Sequence, residues 1–511
     1  MKIRMRRLML MLALLPFLLC GCTSDGIPLQ TDTPTVTLPP AATSHVAPIG
    51  DAALEYAADA TLYLPRHDGM RLSAVTAQVT FSASRPHAES QVRALLNHTG
   101  DGVVSQLGGS VRLSLYGVNP VEVSRDVVTV NLGASALQLD REALYLACQA
   151  ITNTLTELSD INYVNVLVVD KPVGLDIANT LPMGTLSRST EQDISAAYEQ
   201  LLSRRVSSTE SAEEKSLLAN ATLYFALPGT GGVVSETRSV SFGNQVFSSM
   251  AVTLLRELAA GPQQGIGSPA LPLLADLLAE EPEIITSAAA GGQVMSLAFT
   301  YNLDDMLESY GLTRAECMSS LCYTLCSFFP NLAGISVTIG DERVEALDAS
   351  ASLTFESGVQ RRSDYAYALM DYCTLYFGDE ETGRLAATQR PVSYSQRMNP
   401  RTLLAQLALG PQPSDTVQGL SPIMAENAIV SADVLGLALS DGTLLVNLST
   451  SFLQVGAGMD AEAERRLAYA IVNTLCEDAR VRSVCVFISG SQFDGFSGEI
   501  YWRGLFYPMV V

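Results

Sequence analysis

The sequence predicts an α+β protein: three tandem small mixed α/β domains, each roughly β-β-α-β-β-α-β, placed after a lipoprotein-type signal and a flexible tether. Three observations predict it. The chain has 511 residues, too many for one core and suited to about three domains of ~100–150 residues. Thr-Leu-Tyr occurs at Thr61-Leu62-Tyr63, Thr222-Leu223-Tyr224 and Thr374-Leu375-Tyr376, and further marks follow each copy at matched offsets. Between those marks the apolar period switches from two residues to that of a helix in the same order each time.

The last copy gives the clearest order of elements. Thr374-Leu375-Tyr376-Phe377 alternates as a strand does, and Arg390-Pro391-Val392 lies in a second extended stretch. Leu403 to Leu409 reads as a helix stopped by Gly410-Pro411, since glycine accepts the left-handed cap and proline cannot continue the helix. Asp441-Gly442 between apolar runs favours a hairpin turn. Asp460 caps a helix that carries Leu467, Ala468, Ile471 and Leu475 on one face, and Val481 to Ser489 is the closing strand.

The same marks stand upstream. A valine follows each Thr-Leu-Tyr at the same distance: Val79, Val240 and Val392. Leu95-Leu96, Leu254-Leu255 and Leu403-Leu404 precede Gly102, Gly261 and Gly410, with proline after the last two only. Thr154-Leu155, Thr324-Leu325 and Thr474-Leu475 end the second helix. These marks set the domains at 59–186, 220–344 and 372–511, with linkers at 187–219 and 345–371. The first copy is the most divergent and reads as a spacer. The aromatic tail from Phe493 reads as a last strand closing the third domain.

Ahead of the repeats, Lys2, Arg4, Arg6 and Arg7 precede an apolar run from Leu8 to Leu19, an export signal too short to span a bilayer. The run ends Leu19-Cys20-Gly21-Cys22 and resembles a bacterial lipobox, so residues 1–21 are expected to be removed and Cys22 lipidated. Residues 22–58 are rich in Thr, Pro, Ser and Ala and read as a disordered tether. That places the protein on the outer face of the cytoplasmic membrane. The chain has 53 acidic and 31 basic residues, net −22, a charge that disfavours nucleic acid as a partner.

Residues for chemistry are scarce. Cys148, Cys326, Cys373, Cys476 and Cys485 share seats with small or apolar residues of the other copies, as core positions do. Cys317, Cys322 and Cys326 lie close in sequence, but no histidine is near to complete a metal site. His45, His67, His87 and His98 all fall in the tether or the first copy. No carboxylate recurs in all three copies as a catalytic pair would. The expectation is therefore no catalytic, metal or cofactor site, and no enzyme. Arg238 and Arg390 are a polar pair at a matched seat, where the first copy has Ala77. They are read as packing or ion-pairing residues and, second, as candidates for interaction.

The opening Thr-Leu-Tyr, the Arg-x-Val, the Leu-Leu helix with Gly-Pro, Val446-Asn447-Leu448-Ser449 and Val472-Asn473-Thr474-Leu475 together resemble the GerMN domain of sporulation and spore germination. The resemblance implies a small α+β fold, related in appearance to the ring-building motifs of secretion-type channels, with no catalytic residues. It implies a membrane-anchored scaffold that contacts envelope or sporulation-complex proteins, ring-forming channel components among them. The other reading is an extracytoplasmic binding module for cell-wall glycan or a small solute. Copy 1 lacks the arginine and the Gly-Pro, and copy 2 has Met295-Ser296-Leu297 where the others have Val-Asn-Leu.

Overall fold

Alternation buries Leu62 and Leu64 in the first opening strand and Leu375 and Phe377 in the last, whereas the middle strand is buried on both faces, Tyr224 and Ala226 together with Leu223 and Phe225. The computed structural model describes residues 45–51, 55–82, 85–191, 193–203, 216–264, 271–288, 290–348 and 352–509. Each opening strand pairs with the next in an antiparallel hairpin: Glu55–Pro65 with Leu72–Ser82, Leu217–Leu227 with Gly232–Phe242, and Met370–Asp379 with Leu385–Ser393. A helix follows each hairpin, at His87–Asn97, Phe247–Ala259 and Pro400–Ala408.

A small sheet comes next. Its first two strands are antiparallel: Val121–Ser124 with Val127–Leu132, Glu283–Ser287 with Gly292–Phe299, and Val434–Ser440 with Thr443–Leu448. The second helix, Arg141–Leu155, Arg314–Phe328 or Ala461–Cys476, is capped at its start by Asp140, Thr313 or Asp460. It leads into a strand parallel to the second of the pair, at Tyr163–Val168, Leu332–Ile339 and Ser483–Ile488. The order β-β-α-β-β-α-β thus runs three times along the chain.

One further piece completes each unit. A short returning segment pairs antiparallel with the last strand: Leu186–Ser187 on Val164 and Tyr163, and Val359–Gln360 on Ser336 and Ile335. In the third repeat the pairing shrinks to a single bridge, Phe506 opposite Val484. The returning segments of the first two repeats lie in or beside the stretches expected to be linkers. Of the expected linker 345–371, residues 352–371 pack into the interior: Phe355, Val359, Tyr365, Ala368 and Leu369 are buried there. In 187–219 the helix Ile194–Ser203 buries Ile194 and Tyr198, whose hydroxyl donates to Leu175 O at 3.2 Å.

The first two repeats share one hydrophobic core, in which Leu62, Val130 and Ile151 belong to the same cluster as Leu223, Leu297 and Leu325. The third repeat has its own, around Leu375, Leu404, Leu444 and Leu475. The first repeat is therefore half of a joint core and not a separable spacer. Its edge strand is closed by the other two: Ser235 N donates to Ser124 Oγ at 3.1 Å, and Ser124 Oγ donates to Met370 O at 2.7 Å.

Two ends of the chain meet the third repeat. Gly50–Asp51, inside the expected tether, runs parallel to Gly436–Leu437, while Asn447 Nδ2 donates to Pro48 O at 2.9 Å. A Cβ on Gly436 would stand 2.4 Å from Pro48 O, so only glycine admits this added strand. At the other end the tail folds as an irregular segment, with strand-like pairing at Phe506 alone. Trp502 is its anchor, buried against Phe452, Phe493, Phe496 and Phe506, with Nε1 donating to Glu464 Oε1 at 2.6 Å. Glu464 also accepts from Phe496 N and Ser497 N, each at 2.7 Å.

Candidate interaction sites

The last turn of a helix leaves carbonyls without partners and carries partial negative charge. Arg238 and Arg390 serve that need. Arg390 donates from Nη1 to Gln406 O at 2.7 Å and from Nη2 to Gly410 O at 2.6 Å, and Arg238 Nη2 donates to Gly261 O at 2.9 Å. Gly261 and Gly410 have φ of +78° and +75°, the left-handed cap read from the sequence. Both guanidinium groups are buried, and Arg238 is also paired with Glu236 and Glu257. Their place is inside the repeat, so they present no charge to a partner. Where copy 1 has Ala77 it also lacks Gly-Pro, and its first helix ends at Asn97 with His98 in an extended conformation.

The Asn of Val-Asn-Leu has a comparable structural task. Asn131 Nδ2 donates to Asp170 Oδ1 at 2.6 Å and its Oδ1 accepts from Asp170 N at 3.0 Å, while Asn447 Oδ1 accepts from Gly490 N at 2.9 Å. Each holds the left-handed turn after the last strand, where Asp170 has φ +63° and Gly490 +84°.

Where the first and third repeats meet, Arg85, His87, Asp160, Asp371, Arg397 and Arg480 line a cavity of about 70 Å³. Arg397 pairs with Asp160 at 3.1 Å and Asp371 at 3.3 Å. His87 Nε2 and Arg480 Nη1 are buried without hydrogen-bond partners, and Asp371 Oδ2 has only its ion pair with Arg397. Burial pushes the Asp371 carboxyl up to about 6 against the pull of Arg397. Burial, helped by Arg480, holds the His87 imidazole below its usual range. The space suits about two waters at roughly 30 Å³ each.

A second constellation recurs in the repeats, built on the tyrosine of Thr-Leu-Tyr. Tyr63 OH donates to Glu157 Oε1 at 3.0 Å, and Tyr376 OH donates to Glu477 Oε1 at 2.6 Å. Glu157 and Glu477 each stand three residues after the threonine that ends the second helix, where the middle repeat has Ser327. In the first repeat Arg188 lies over the Tyr63 ring, 5.2 Å from its centroid, and bonds both the phenol oxygen and Glu157. In the middle repeat Arg362 lies 5.3 Å from the Tyr224 centroid and 4.3 Å from that of Tyr323, and it bonds Ser327. Its Nη2 also donates to Glu122 Oε2 of the first repeat at 2.6 Å, which ties the two repeats together.

This seat was not singled out in the sequence. Its tyrosine is the most regular mark in the chain, and the acid is found by counting from the threonine. The arginines sit just past each returning segment, in stretches whose polarity reads as linker.

Cys148, Cys317, Cys322, Cys326, Cys373 and Cys485 are buried free thiols and Cys476 is half-buried. Burial pushes Cys148, Cys317 and Cys476 up to about 12 and Cys373 to about 11, which removes the thiolate that chemistry would need. Among the described residues no group of three or more His, Cys, Asp or Glu side chains could hold a metal ion. Cys22 and the leader lie outside the described residues. Among the described residues no helix is long and apolar enough to cross a membrane.

Fold and sites together define a tandem-repeat α+β protein whose recurrent polar residues mainly hold the repeats and their junctions. Residues 61–174 and 374–494 match the Germane family, described as sporulation and spore germination. The matched stretches fall in the first and last repeats and leave out the middle one. Among solved structures it is similar to the tandem GerMN domains of the sporulation protein GerM from Bacillus subtilis, at 17% identity over 57% of this chain and 98% of that one, with a TM-score of 0.21. It is also similar to the first GerMN domain of the same protein, at 17% identity over 27% of this chain and 93% of that one, TM-score 0.20. No curated protein matches the chain by sequence.

Proposed function

We propose that this protein is a non-enzymatic, membrane-anchored scaffold whose repeats contact other proteins during envelope assembly in sporulation or spore germination. The observation that carries the reading is the pair of Germane matches within one chain. The leader and lipobox support export and anchoring through Cys22. Placement on the outer face of the cytoplasmic membrane follows, with an acidic body facing protein partners. Ring-forming channel components fit that description. The scarcity of polar groups converging on an open cleft supports a binding role over catalysis.

The test is affinity capture with the purified protein, comparing solubilised envelope from vegetative and sporulating cells. Recovery of a specific envelope protein from sporulating cells alone is the expected result. Recovery of wall fragments in its place would overturn the scaffold reading in favour of glycan binding.

A further inference from the structure

We propose that Tyr376 and Glu477 of the third repeat form a guanidinium-binding seat, filled by an arginine side chain from a partner protein. The proposal rests on the protein-interaction reading above and names the chemistry of the contact. Its basis is that the chain fills the same seat twice from within and leaves it unfilled once.

Two register marks identify the residue that should fill it. Phe506 faces Val484 in the third repeat as Leu186 faces Val164 in the first. Asn473 clips the backbone of Met509 through both its amide atoms, at 3.0 and 2.9 Å, as Asn153 clips Ser189 at 3.0 and 3.0 Å. Between these marks the first repeat has Arg188 and the third has Pro508. The tyrosine and the acid are kept, their hydrogen bond is formed at 2.6 Å, and the cation is missing. Among the described residues no arginine or lysine is paired with Glu477.

The seat suits arginine over lysine. A planar guanidinium can lie on the tyrosine face while its N–H groups reach the carboxylate beside it, as Arg188 does. Glu477 is exposed and Tyr376 half-buried, so a side chain can reach them from solvent. The chain's net charge of −22 favours the approach of a cationic segment.

The experiment uses the full-length chain in detergent with ¹³C-labelled tyrosine, observed by NMR. The probe is a capped peptide of residues 186–190, Leu-Ser-Arg-Ser-Thr, with a norleucine-for-arginine peptide as control. The expected result is a saturable shift of the Tyr376 ring signal with the arginine peptide alone, weakened at least fivefold in Glu477→Gln and absent in Pro508→Arg, which would fill the seat from within. No Tyr376 shift at millimolar peptide, an equal shift with the control, or an undiminished shift in both variants would overturn the proposal. Capture of an envelope partner without peptide binding would reject this seat and leave the scaffold reading standing. Peptide binding without capture would do the reverse.

Discussion

Arg362 fills the tyrosine seat of the middle repeat, Pro508 stands in the last where Arg188 stands in the first, and the two seats have opposite surroundings. Arg362 is buried between Tyr224 and Tyr323 and neutralised by Glu122 of the first repeat. In the last repeat the half-buried Tyr376 and exposed Glu477 are hydrogen-bonded to each other and have no cation among the described residues. An inner repeat can bury a charge because its neighbour supplies the countercharge. Arg188, half-exposed and paired within its own repeat, is the intermediate case.

Arg362→Met leaves Glu122 without its partner and should cost about 3–5 kcal/mol, read from chemical denaturation. Because the two repeats share a core, both should lose stability together. A cost below ~1 kcal/mol would mean that the ion pair does not hold the joint.

The junction cavity gives the next effect. The folded Asp371 carboxyl sits at about 6 against an ordinary value of 3.8, so the native state binds the proton more tightly. Its stabilising contribution is full below pH ~4 and is lost as the pH rises to about 6, an effect of about 3 kcal/mol at 1.36 kcal/mol per unit. Asp371→Asn should flatten that part of the stability profile. An unchanged profile would place the proton elsewhere. The smallest effect sharpens the contrast: Arg188→Ala, at a half-exposed seat, should cost no more than about 1 kcal/mol.

Much of the repeat was legible in the sequence because it rests on local rules. Alternation set the hairpin strands, Asp140, Thr313 and Asp460 marked the starts of the second helices, and Gly-Pro marked the ends of two first helices. The returning segments were not legible. They pair over two residues or one, too short to show a period, and their buried polar members depend on distant groups. Gln360 accepts from the Tyr365 hydroxyl at 2.7 Å and Arg362 reaches into another repeat, so a stretch that reads as solvated linker is interior. Arg238 and Arg390 were legible as a matched pair, but the helix end they serve becomes visible only in three dimensions. Gly50–Asp51 gave no strand signal, since its pairing depends on the missing Cβ of Gly436.

The measurement that bears most directly on the seat is photo-crosslinking in sporulating cells, with Glu477 kept and a photoreactive residue at the exposed position 507 beside Pro508 and, separately, at the equivalent exposed position 187. A filled seat predicts a protein adduct from position 507 only, lost when Pro508→Arg is added. Equal adducts from both positions, or an adduct at 507 that survives Pro508→Arg, would contradict it.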